Sequence, residues 1–321
     1  MKRGIFIVQR ARIIYNPTAG RNLVTKKLVN ILEKLERAGY ETSCKATEGP
    51  GSAAAESTKA AKNGVDVVIA AGGDGTLSEV VNGLMQVTER PKLGLLPCGT
   101  SNDFARALKI PVNIEKAVDV IINGQSKLID IGCSGNRYFL NVAAIGHLTE
   151  VSDATSNLKT FVGPLAYYMK VIENLAKITR PFTATIATPE QTFNNIEIVL
   201  LIIANSITVG GFSCITPKAD ISDGLLDLLI IPKNSITNLL QVAALARKGE
   251  HIYDDRIHYL QTTCVNVSVP RAFKFNLDGE WSALSSTSFA VVPHCLNIFV
   301  PNKPVFKKIG PKLMRKVPRD A

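Results

Sequence analysis

The chain has 321 residues, 46% of them hydrophobic and 20% charged, with a formal net charge of +10. Such a composition builds a buried core and excludes a disordered chain, and the length suits two domains. No apolar run approaches the roughly 20 residues a membrane-crossing helix requires.

The first part of the chain alternates strand and helix patterns. Residues 11–15 read as a strand, followed by the turn Asn16, Pro17, Thr18, Ala19, Gly20. Residues 23–38 have helical periodicity and stop at Gly39, a C-cap residue. Residues 40–46 form a second strand pattern and 52–63 a second helix. Residues 65–71 have the β-branched content of a buried strand. Gly72, Gly73 and Gly75 then break it, and residues 77–84 resume helical spacing. Residues 92–96 give a fourth strand, followed by the turn at 97–103. This alternation implies a doubly wound, mostly parallel α/β sheet, with ligands bound beyond the carboxyl ends of its strands. Beyond residue 130 strand patterns dominate, at 138–144, 182–188, 196–205, 225–231, 265–270, 273–277 and 289–292, with helices at 163–178 and 236–247. That texture predicts an antiparallel β sandwich as the second domain.

The glycine turn is the most informative stretch. Strand, glycines and helix together let backbone N–H groups approach a phosphate, and the helix N-terminus adds partial positive charge. Asp74 sits among the glycines, where a carboxylate is unwelcome without a cation; a Mg²⁺ bridging Asp74 and a nucleotide phosphate resolves the conflict. A P-loop lysine is absent, and the spacing does not fit a dinucleotide fingerprint. The turn alone is equally a plain strand-to-helix connection with a solvated Asp. Thr100 and Asn102 add hydrogen-bonding side chains at another strand end, while Asp103 accounts for itself as a helix N-cap. Asp223, with neighbouring carbonyls, suits a divalent cation, though an Asp-Gly turn also explains it. Asp278 and Glu280 flank Gly279; either could accept a proton from an attacking hydroxyl. The six cysteines are scattered with no C-x-x-C pair, which argues against zinc and disulfides and for reduced, cytoplasmic thiols. The positive charge suits anionic membranes or small molecules. No basic stretch is interleaved with aromatics, so nucleic acid is set aside.

These motifs make the chain resemble the soluble bacterial diacylglycerol kinases of the DgkB type, within the wider diacylglycerol and sphingosine lipid kinases. The resemblance runs from Asn16-Pro17-Thr18-Ala19-Gly20 to Asn276-Leu277-Asp278-Gly279-Glu280. It includes Pro97-x-Gly99-Thr100-x-Asn102-Asp103, Ile129-Asp130-Ile131-Gly132, Leu165-Ala166-Tyr167-Tyr168 and Asp223-Gly224-x-x-Asp227. Gly72-Gly73-Asp74-Gly75-Thr76 is shared more widely, with NAD kinases and phosphofructokinases, whose α/β domain it implies.

The resemblance implies ATP as phosphoryl donor, bound by Asn16, Pro17, Thr18, Ala19, Gly20, Thr47, Gly72, Gly73, Asp74, Gly75, Thr76, Leu77, Ser78 and Thr100. Asp74 belongs to the Mg²⁺ and phosphate network, with Asp130 supporting it. Asp223, with the carbonyls of Asp220 and Leu225, holds a structural Mg²⁺. Glu280 is the general base, with Asp278 its rival. Arg21 and Lys170 fall where the family places basic residues near the membrane. The implied division is residues 1–130, with 301–321 packing back on them, and a sandwich over 131–300. The implied activity is phosphorylation of diacylglycerol to phosphatidic acid by a homodimer in the cytoplasm, reversibly associated with an anionic inner membrane face. The alternatives are a kinase of another lipid alcohol, such as a sphingoid base or a monoacylglycerol, or of NAD, and a non-catalytic nucleotide- and lipid-binding regulator.

Overall fold

The computed structural model describes residues 8–146, 181–208 and 215–302, without side-chain detail at 271–274 and 282–286. Lys170, the 163–178 helix, the 165–168 motif and most of the 301–321 segment therefore lie outside the described residues.

Strands β1 (Gln9–Tyr15), β2 (Tyr40–Ala46), β3 (Val67–Gly72) and β4 (Lys92–Pro97) form a parallel array in the order β2-β1-β3-β4. Every residue of β3 is buried, as expected for an aliphatic run with helices on both sides. Helices α1 (Ala19–Arg37), α2 (Ser52–Lys62) and α3 (Asp74–Leu84) supply the crossovers. Helix α3 begins at Asp74, three residues before the apolar periodicity announces it. The glycine turn is thus part of the helix N-terminus itself.

Two further helices follow, α4 (Asp103–Ala107) and α5 (Ile114–Asn123), the latter capped by the Asn113 side chain accepting from the Lys116 N–H. Helix α2 packs against α3, and α1 against α5, so the sheet is covered on both faces. Ile13, Ile14, Ile69, Leu93 and Leu96 lie at its centre and are fully buried.

The second domain is antiparallel. It comprises β5 (Gln125–Ser134), β6 (Arg137–Phe139), β7 (Val142–Ile145), β8 (Phe182–Ala187), β9 (Thr192–Ala204), β10 (Leu226–Pro232), β11 (His258–Thr262), β12 (Cys264–Leu277) and β13 (Glu280–Val300). Helix α6 (Ile236–Ala246) packs on one face, where Leu239 and Val242 join Val199, Leu229 and Ile257 in a separate apolar cluster. The other face buries Phe139, Phe275 and Phe289, whose rings meet edge to face.

Strand β13 joins the two parts. It pairs with β12 and then β5, and at Ile298 runs parallel to β4 at Leu93. The predicted strand at 289–292 is a fragment of this 21-residue element. The predicted strand at 138–144 is divided, because Leu140 and Asn141 leave the ladder between β6 and β7 and turn their amides to Asp278.

Candidate active site

The order β2-β1-β3-β4 places a topological switch point between β1 and β3, where open α/β sheets bind ligands. In register, Ala46, Tyr15 and Ala71 form one row at the carboxyl edge, and Gly72 pairs with Pro97 beside it. The turns after all four strands therefore meet at one edge. The Asn16 N–H donates to the Ala71 carbonyl at 3.0 Å, and the Thr47 N–H to the Tyr15 carbonyl at 2.8 Å. Asn16 Oδ1 accepts from the Thr18 N–H at 3.0 Å and from Thr18 Oγ1 at 2.9 Å, which shapes the Asn-Pro-Thr turn.

The glycines are required by close approach. A Cβ on Gly99 would lie 2.6 Å from the Gly73 Cα, so the turns after β3 and β4 touch backbone to backbone. Gly20 has a φ of +57° and stands against the Cys98 carbonyl, where a Cβ would come within 2.6 Å. Asn102, buried and left-handed at φ 49°, clamps the β4 turn: its Oδ1 accepts from the Gly99 N–H at 2.8 Å and its Nδ2 donates to the Gly99 carbonyl at 2.7 Å. Asn102 thus holds the turn, and Thr100 beside it stays exposed.

Asp74 is half-buried at the start of α3 and accepts backbone hydrogen bonds from Phe104, Asp103 and Asn102, at the N-terminus of α4. Burial, followed by the neighbouring charge of Asp103, raises its pKa above the ordinary carboxylate value despite those amides. Thr76 is half-buried and Gly75 exposed, while Leu77 and Ser78 are buried within α3. Arg21 is exposed, left-handed at φ 57°, directly after Gly20.

Asp278 and Glu280 sit on the turn between β12 and β13 and differ sharply. The Asp278 carboxylate accepts from the N–H groups of Leu140, Asn141 and Val142. Burial drives its pKa up to about 6, the amides pull it down, and the charge of Asp74 pushes it up again. Asn82 of α3 hydrogen-bonds Tyr138 in the segment just before these amides, so the glycine-turn helix and the β12–β13 turn share the 138–142 segment. Glu280 is exposed, and its Oε2 accepts from Arg137 Nη2 at 2.7 Å.

Asp130 is tied to the 220–225 loop. It is fully buried, with Oδ1 accepting from the His294 N–H and Oδ2 from the Gly224 N–H, both at 2.7 Å. Asp223 lies exposed on that loop; its Oδ1 accepts from the Leu225 N–H at 3.0 Å. Burial and the charges of Asp220 and Asp130 raise the Asp223 pKa. Asp220 is held below the ordinary value: burial opposes this, but Ser222 and Lys127 outweigh it. Among the described residues no group of three or more His, Cys, Asp or Glu side chains is placed to hold a metal ion. The exposed loop carries the carboxylates of Asp220 and Asp223, and oxygen donors of this kind are those a hard divalent cation takes.

Residue pattern did not single out Asn82, Arg137 or the 140–142 amides, whose roles depend on long-range packing. His251 is buried with Nε2 on the Ile215 carbonyl at 2.8 Å, away from the turns.

The α/β domain with its glycine turns at one sheet edge and the β sandwich that follows correspond to two known domain families. Residues 10–134 match the diacylglycerol kinase catalytic domain and 141–300 the YegS C-terminal NAD kinase beta sandwich-like domain. The chain is 43% identical over 298 residues to a diacylglycerol kinase of Bacillus subtilis (strain 168), covering 92% of this chain and 98% of that one. It is 42% identical to a diacylglycerol kinase of Staphylococcus carnosus (strain TM300), covering 91% and 95%. A solved diacylglycerol kinase structure from Bacillus anthracis str. Sterne superposes with a TM-score of 0.77 at 26% identity, covering 91% of this chain and 97% of that one. The chain belongs to the diacylglycerol kinase family.

Proposed function

We propose that this chain transfers the γ-phosphoryl group of ATP to the free hydroxyl of diacylglycerol, giving phosphatidic acid. The observation that carries the reading is the pair of hydrogen bonds from Asn82 of α3 to Tyr138, which holds the helix of the glycine turn beside the segment whose amides grip Asp278. The names of the relatives support the substrate.

In this reading the amides of the Asn16–Gly20 and Gly72–Thr76 turns, with Thr47 and Thr100, cradle the nucleotide. Positioning and charge neutralisation supply most of the catalysis. Asp74 and the loop of Asp220, Asp223 and Leu225 would each hold Mg²⁺; the ion's chemistry is neutralisation of phosphate charge at the first and loop ordering at the second. Asp130 anchors that loop from beneath. Glu280 takes the proton of the lipid hydroxyl. Its rival Asp278 is committed to three backbone amides, whose geometry it would disturb on protonation. Residues 1–130 carry the nucleotide and 131–300 the lipid side. The protein acts as a homodimer at an anionic cytoplasmic membrane face, with Arg21, Lys170 and the basic residues near the end of the chain contributing roughly 1 kcal/mol each when close to the surface.

The test compares Glu280→Gln with Asp278→Asn, measuring label transfer to diacylglycerol and, separately, ATP affinity. Loss of turnover with retained ATP affinity in Glu280→Gln supports the assignment. The same result confined to Asp278→Asn contradicts it.

A further inference from the structure

The segment from Arg137 to Val142 touches both halves of the site. Strand β6 pairs only with β5 among the described residues, leaving the backbone of Tyr138 open on its other edge. Asn82 closes that edge. Its Oδ1 accepts from the Tyr138 N–H and its Nδ2 donates to the Tyr138 carbonyl, both at 3.0 Å. An asparagine amide used in this way substitutes for a neighbouring strand, satisfying a donor and an acceptor at one residue. Asn82 belongs to α3, two turns after Asp74. The helix that starts at the glycine turn is thus pinned at its far end to β6.

The next links run to the acceptor side. Arg137 donates to Glu280 Oε2 at 2.7 Å, and Leu140 to Val142 donate to Asp278. Glu280 is exposed and follows two left-handed residues, Asp278 at φ 48° and Gly279 at φ 102°. A glutamate in that setting has many rotamers open to it. An ion pair this exposed adds little to stability, so its value would lie in fixing geometry.

We propose that Arg137 and Asn82 are positioning residues: Arg137 holds the Glu280 carboxylate in one orientation, and Asn82 registers the strand that carries Arg137 against the phosphate-turn helix. The inference rests on Glu280 being the base.

The experiment measures kcat and KM for ATP with diacylglycerol in mixed micelles containing anionic phospholipid and Mg²⁺. The variants are Arg137→Ala, Arg137→Lys, Asn82→Ala, Glu280→Gln and the double variant Arg137→Ala/Glu280→Gln. Misplacing a reacting group costs rate steeply, so Arg137→Ala lowers kcat by about tenfold or more while the ATP KM stays within about twofold. Arg137→Lys recovers part of the loss, and Asn82→Ala lowers kcat in the same direction. Arg137→Ala adds nothing to Glu280→Gln, because the arginine acts through that carboxylate. The Arg137 side chain is half-buried beside an exposed partner, so its variants are expected to melt near the wild type and remain informative if Asn82→Ala proves unstable. An unchanged kcat in Arg137→Ala, a raised ATP KM with kcat kept, or an additive loss in the double variant overturns the inference while leaving the base assignment standing. Full activity in Glu280→Gln removes the base assignment, and this inference with it.

Discussion

Gly99→Ala tests the glycine-on-glycine contact that joins the turns after β3 and β4. A Cβ at position 99 would stand 2.6 Å from the Gly73 Cα, while ordinary contact begins near 3.4 Å. The difference requires the turns to part by about 0.8 Å, and neither side can yield by rotating a side chain, since the obstruction is backbone. The Asn102 clamp on Gly99 resists movement on one side, and the Cys98 N–H donated to the Gly72 carbonyl at 2.8 Å resists it on the other. Overpacking of this kind costs roughly 1–3 kcal/mol of stability. The larger effect is on function, because a displacement near 1 Å in a positioning element can lower rate by about a hundredfold. Thermal melting and steady-state kinetics with varied ATP measure the two effects. The reasoning predicts a folded, less stable protein with a strongly reduced kcat/KM for ATP. A variant with wild-type stability and wild-type kcat/KM would refute it.

Three further outcomes follow from the same geometry. Asp278 sits at about 6 in the folded chain against an ordinary 3.8, so the native state holds more protons between those values and stability falls as pH rises through that window. The contribution is at most about 3 kcal/mol; Asp278→Asn should flatten the melting temperature between about pH 4 and pH 6, and an unchanged slope counts against the burial argument. Asp130→Ala leaves the Gly224 and His294 N–H groups without their buried acceptor, at roughly 1–3 kcal/mol each. Its melting temperature should drop, and any Mg²⁺-dependent gain in melting temperature should disappear. Phe104→Ala empties a fully buried site in the helix whose amides hold Asp74, and should cost about 3–5 kcal/mol together with a fall in kcat, read by denaturant unfolding and label transfer.

The parallel half of the fold was legible because its signals are local. A buried β-branched run, a glycine break and a 3.6-residue period identify β3 and α3 without reference to the rest of the chain. The antiparallel half was legible as a texture, but its elements were cut short. Strand β13 passes through bulge and alternation changes near His294, where Asp130 takes the backbone N–H, and no local pattern marks it as continuous. Strand β5 shows in the sequence only through Ile129-Asp130-Ile131-Gly132, because its exposed first half has the polarity of a loop. The three strand-end turns could be placed at one edge from topology alone. That Asp130 serves the 220–225 loop, that Asp278 is enclosed by amides and that Asn82 braces β6 are all contacts between residues at least 56 positions apart. Sequence spacing carries no record of such contacts.

The central claim is phosphoryl transfer from ATP to a lipid hydroxyl at the edge that carries Asp74. The most direct test is radiolabelled transfer from ATP with Mg²⁺ to diacylglycerol in anionic mixed micelles, with wild type beside Asp74→Ala. The account predicts label in phosphatidic acid from the wild type alone, with both proteins folded. Equal labelling by the two would contradict the placement of the site, and no labelling by a wild type that binds ATP would contradict the acceptor.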